Sequence, residues 1–308
     1  MNEITTNKRV VSIIPGLDKA SGDLKAYSLQ NTIIAGKAGS GVYTLVNGII
    51  KNLVENYSPN SVGIELYVRN DAAPWLMENR QLPHFSTQVY GTMGIEDKDN
   101  ANYIKAFTRL YELYIIALQR KKCYNQKHDR KYVIFFELCY DMFKESDHLK
   151  ILKDLMSICE DAGIYIYLIN QDSVNLKELD LIDLCDLRLV TRVSESVSNE
   201  LLNCNIATRS EDLAGFVWVL EADNPYVLRR LDVPFYPDTM LRKLCKVMSN
   251  KRVLADASFV TFEEKIRESV EEYNNRKDMI ADLFNPAIKE RFVLQSYERM
   301  LTGDGEHK

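Results

Sequence analysis

Gly36, Gly39 and Gly41 lie in the stretch NTIIAGKAGSGVYTLV, directly after the apolar run Thr32, Ile33, Ile34, Ala35. A strand, a glycine-rich loop and a helix in that order make a phosphate cradle. Loop amides and the positive end of the helix dipole converge there on an anion. The full pattern is GxxxxGK[ST], whose lysine reaches the phosphates and whose hydroxyl binds magnesium. Gly36 and Gly41 hold the glycine positions, but Val42 stands at the lysine and Tyr43 at the hydroxyl. Thr44 comes one residue late, about 100° around the helix from where a ligand is needed. The candidate phosphate-binding set is Gly36, Lys37, Ala38, Gly39, Ser40, Gly41, Val42, Tyr43 and Thr44. Two readings of the glycines stay open: anion binding through backbone amides, or turn geometry that holds no ligand. Lys37 is either a solvent-facing loop lysine or a cation that swings to a phosphate from the far side of the loop. No metal site is expected. The six cysteines have no CxxC spacing, and several sit in apolar runs, which reads as buried free thiols. His84 has no second histidine near it and reads as structural.

The cradle needs elements to hold it. The 308 residues are 46% hydrophobic and 27% charged, enough apolar surface for a real core. The net charge of -5 argues against a domain that coats nucleic acid with its whole surface. No run approaches the roughly 18 apolar residues of a membrane span, and the N-terminus has no apolar signal region. The expectation is a cytoplasmic chain. Val10 to Ile14 reads as a strand stopped by Pro15 and Gly16. A helix is expected from about Thr44, with Leu45, Val46, Ile49, Ile50 and Leu53 on its apolar stripe. Further strands are expected at 62–68, 132–136, 164–169, 187–193 and 216–220. Helices are expected at 99–121 and 146–162. Alternating strands and helices predict an α/β fold with a mostly parallel central sheet, its ligand edge at the carboxyl ends of the strands. The predicted domains are a core over 1–235 and a helical C-terminal extension over 236–308, with a disordered tip.

Four stretches, in order, resemble the FtsK/SpoIIIE motor family of ring-forming P-loop ATPases. They are SGDLKAYSLQNTIIAGKAGSG; SPNSVGIELYV followed by Leu82, Pro83 and His84; KYVIFFEL; and AGIYIYLINQDS. LRLVTRVSESVSNELL is similar to the strand and helix that reach toward a neighbouring subunit. The likeness covers about residues 10–235. It implies a RecA-like P-loop fold, a ring-like oligomer and a translocated cargo. It also implies roles outside the glycine loop: Glu137 as a vestigial activator of water, Gln171 as a γ-phosphate sensor and Arg192 as an inter-subunit cation. For each carboxylate or amide the plainer reading is a group satisfied by its neighbours.

The departures from the family pattern fall on the chemistry. Phe136 replaces the aspartate before Glu137, and Ser198 and Glu200 stand where the family carries an aspartate and an arginine. Losing one transition-state stabiliser costs on the order of 10²–10³ in rate. Losing several predicts no useful turnover, a weak or absent ATP/ADP ligand and no magnesium. The resemblance leads to a catalytically impaired motor-domain protein in a DNA-translocation machine for chromosome or conjugative transfer. The alternatives are a degenerate module of a type VII secretion EccC/EssC-like system that binds partner proteins, or an inert scaffold. Its partners would be proteins or an FtsK-like ring, with DNA in the first case. With no transmembrane segment expected of its own, it would dock on a membrane-associated machine.

Overall fold

The computed structural model describes residues 11–68, 82–85, 90–91, 101–123, 130–138, 146–171, 175–208 and 215–235. The helical extension expected over 236–308 lies outside them.

The strands are β1 (Ser12–Asp18), β2 (Leu24–Ser28), β3 (Thr32–Ala35), β4 (Val62–Val68), β5 (Tyr90–Gly91), β6 (Lys131–Glu137), β7 (Ile164–Asn170), β8 (Leu187–Val190), β9 (Phe216–Glu221) and β10 (Leu228–Asp232). The helices are α1 (Val42–Asn56), α2 (Ala101–Cys123), α3 (Ser146–Met156) and α4 (Glu195–Leu202). All ten strands join one sheet in the order β2-β1-β10-β9-β8-β3-β7-β6-β4-β5. From β8 to β5 the neighbours are parallel. From β8 to β2 they are antiparallel. The predicted α/β fold is thus present, with an antiparallel wing added to a parallel core.

β3 occupies the middle of this sheet, and all four of its residues are buried. Its alternation feeds two cores. Ile33 and Ala35 pack with residues of α2 and α3, whereas Ile34 packs with Val42, Leu45, Val46 and Ile49 of α1. Both faces of the parallel core are therefore covered, which explains why β4, β6 and β7 read as near-continuous apolar runs. A charged residue interrupts β4 at Glu65. Its carboxylate takes Arg109 of α2 at 2.6 Å and 3.2 Å, and Arg109 also meets Glu112 at 2.8 Å. A buried charge is tolerated in such company because every polar atom it removes from water finds a partner.

Several boundaries differ from the sequence expectation. α1 starts at Val42, two residues before Thr44, because Gly41 turns into a left-handed conformation (φ 94°) and launches the helix directly. β1 runs through Pro15 and Gly16 instead of stopping. The β1–β2 register shifts between Ile13 and Gly16, and such an irregularity accommodates a residue that cannot donate to the ladder. The helix expected over 146–162 is split, α3 ending at Met156 and a 3-10 turn covering Glu160–Ala162. β8 ends at Val190, not Val193. β10, with Arg229 and Arg230 among its five residues, was too polar to be expected, and its ladder to β9 secures it.

Candidate functional site

The carboxyl ends of β3, β6, β7 and β8 meet at one edge of the sheet, and the glycine loop crosses it. Gly36 N–H donates to Asn170 C=O at 3.0 Å, and Lys37 N–H donates to Arg192 C=O at 2.7 Å. The loop is therefore sewn to the ends of β7 and β8 by its own backbone. Ser40 and Thr191 hydroxyls lie 2.7 Å apart, and Thr191 Oγ1 donates to Ala35 C=O at 3.1 Å. Gly36 has no room for a side chain, since a Cβ there would fall 1.9 Å from Thr191 Oγ1. Gly39 (φ 76°) and Gly41 have left-handed backbones that a side chain would strain. The first hydrogen bond of α1 runs from Leu45 N–H to Gly41 C=O at 2.9 Å. The loop thus delivers the chain directly into the N-terminal end of α1.

A cavity of about 670 Å3 lies over this loop. The whole candidate stretch from Lys37 to Thr44 lines it, together with Gln171 and Thr191. Gly36 lies beneath, buried. Val42, at the lysine position, belongs to the core, with 4% of its surface exposed. Tyr43 does not. Its hydroxyl donates to Glu137 Oε1 at 2.7 Å, and Gln171 Nε2 donates to the same oxygen at 3.2 Å. Glu137 has no exposed surface. Three candidates from distant parts of the chain thus close on one another. Lys37 is exposed at the cavity's mouth and is the sole cation among its described lining residues.

Arg192 contributes its carbonyl to the loop. Ser198 is buried in local bonds to Cys204 C=O and Ala207 N–H, and Glu200 accepts the Lys177 amide at 2.7 Å. His84 is fully buried, with Nε2 2.8 Å from Tyr57 C=O. Among the described residues no group of histidine, cysteine and carboxylate side chains could hold a metal ion.

Gly215, Phe216, Val233 and Phe235 form the opposite wall of the cavity. Sequence reasoning missed them. The sequence marks Phe216 only as a strand residue and gives Val233 and Phe235 no role. Phe235 is 76% exposed, which is unusual for phenylalanine.

No protein-family model matches the chain, and no curated protein matches it. Solved structures do. The cytoplasmic domain of the Thermomonospora curvata type VII secretion ATPase EccC superposes with a TM-score of 0.66 over 80% of this chain, at 14% identity. EssC (ATPases 2 and 3) from Geobacillus thermodenitrificans gives 0.55 over 78% of the chain, at 16% identity. T. curvata EccC (ATPases 2 and 3) in complex with a signal sequence peptide gives 0.50 over 75%, at 12% identity. The fold is that of a P-loop ATPase. The chain spans only 32%, 48% and 41% of those three structures, so the P-loop fold is what the two sides share. The glycine loop joins β3 to α1 in this fold, and the wall facing it comes from the antiparallel wing. No described helix is long and apolar enough to cross a membrane.

Proposed function

We propose that this chain is a hydrolytically impaired P-loop module that serves a translocation machine as a non-turning subunit. One observation carries this reading: Tyr43 at the hydroxyl position donates to Glu137 at 2.7 Å. The residue that would bind metal and the residue that would activate water engage each other instead. Val42 adds no cation, so Lys37 is the one cation among the described lining residues that could meet the charge developing on a transferred phosphoryl group. The test is phosphate release from ATP with magnesium. The expected result is a rate indistinguishable from the blank, and turnover at the pace of an ordinary P-loop enzyme would overturn the reading.

The fold also supports a choice between kinds of machine. The matches with EccC and EssC support a module of a type VII secretion-like system, docked on a membrane-associated assembly and binding a partner protein. The net charge of -5 also favours a protein cargo over DNA. Binding of a helical secreted peptide would support this choice. Tight duplex DNA binding that weakens steeply with salt would replace it with a DNA-translocating ring.

A further inference from the structure

The metal side of the cavity is closed. In a working site the loop hydroxyl and an acidic strand end hold magnesium against the phosphates. Magnesium demands near-octahedral oxygen ligands, usually with one or two carboxylates among them. Here Tyr43 and Gln171 line the cavity, and both donate to Oε1 of Glu137 behind them. With no exposed surface, that carboxylate has no approach for an ion. The position before it is Phe136, fully buried and 5.6 Å, centroid to centroid, from the Tyr67 ring. The described residues on this side of the cavity do not fit a divalent metal.

The anion side is built in another way. Gly39 and Gly41 have the left-handed backbone that occurs in anion-binding nests of successive amides. The open end of α1 adds its dipole, and Lys37 stands at the mouth. Across from them, Phe216, Val233 and Phe235 offer an apolar, partly aromatic wall of the kind a planar base stacks on. We propose that the cavity takes a nucleoside di- or triphosphate without a divalent metal, with Tyr43 and Gln171 closed over Glu137. This rests on reading the cavity as the phosphate site of a non-hydrolysing module.

The proposal is tested by calorimetry on the full chain with ADP and with ATP, in excess magnesium and again with a chelator. Water-proton relaxation with Mn2+ reports in parallel whether metal is held on the protein. The expected affinities agree within about threefold between the two conditions, and no protein-bound Mn2+ is seen. Tyr43→Ser opens Glu137 to the cavity. There magnesium should tighten nucleotide binding about tenfold or more, and a bound Mn2+ signal should appear. A natural chain that loses tenfold in affinity on chelation overturns the metal-free proposal but leaves the cavity as a nucleotide site. A folded chain that binds neither nucleotide in either condition overturns the cavity reading itself.

Discussion

Gly36 is the residue on which the cradle's shape turns. An alanine there would press its Cβ to within 1.9 Å of Thr191 Oγ1 and 2.5 Å of Ser40 Oγ. Neither hydroxyl can move without breaking the 2.7 Å pair that ties the loop to the end of β8. Gly36→Ala should cost about 1–3 kcal/mol in urea-unfolding free energy, whereas Gly39→Ala, with open space around its Cβ, should cost about 1 kcal/mol from backbone strain alone. Equal losses would mean that the Ser40–Thr191 brace is not what limits the loop. The glycine spacing was legible in the sequence because the cradle is local. The Tyr43–Glu137–Gln171 clasp was not, since its members lie 94 and 34 residues apart and no periodicity links them. Reading Tyr43 only as a missing serine hid what its longer side chain reaches.

At the scale of elements, Asn31 joins three of them just ahead of β3. Its side-chain amide donates to Met156 C=O at the end of α3 at 3.1 Å. Its side-chain oxygen accepts from Ile166 N–H of β7 at 2.9 Å and from the Cys159 thiol at 3.4 Å. Its backbone N–H donates to Glu160. Asn31→Ala leaves buried groups of two neighbouring elements without this partner. It should therefore lower stability by about 2–4 kcal/mol, with hydrogen exchange at the start of β7 rising along with it. A loss below about 0.5 kcal/mol in the same unfolding measurement would show the joint to be redundant. The strands of the parallel core were legible because burial on both faces leaves an unbroken apolar run. The wing was less so. β1 crosses Pro15 and Gly16, and β10 carries two arginines. Arg230 lies 4.3 Å over the Phe216 ring, a placement that only the folded sheet creates.

The whole molecule carries a pH signature on the alkaline side. Burial, the largest cause in each case, pushes the Cys159 thiol from 9.0 to about 12 and the Tyr27 phenol from 10.0 to about 12. Both groups are neutral in the fold and ionise more readily in the unfolded chain. Their contribution is complete below the unfolded values and is lost as pH rises through the folded ones. The urea midpoint should therefore fall steadily from about pH 9 toward pH 12. Cys159→Ala should flatten the early part of that fall, and an unchanged slope would assign it to other groups. The sheet also has a joint at β8, where the parallel core meets the antiparallel wing, and the cavity straddles it. The glycine loop belongs to one side, while Phe216, Val233 and Phe235 belong to the other. Anything that fills the cavity bridges the two halves like a strut across a hinge. The stiffness of the sheet would then measure occupancy, and a site that performs no chemistry could still set the mechanical state of its protein.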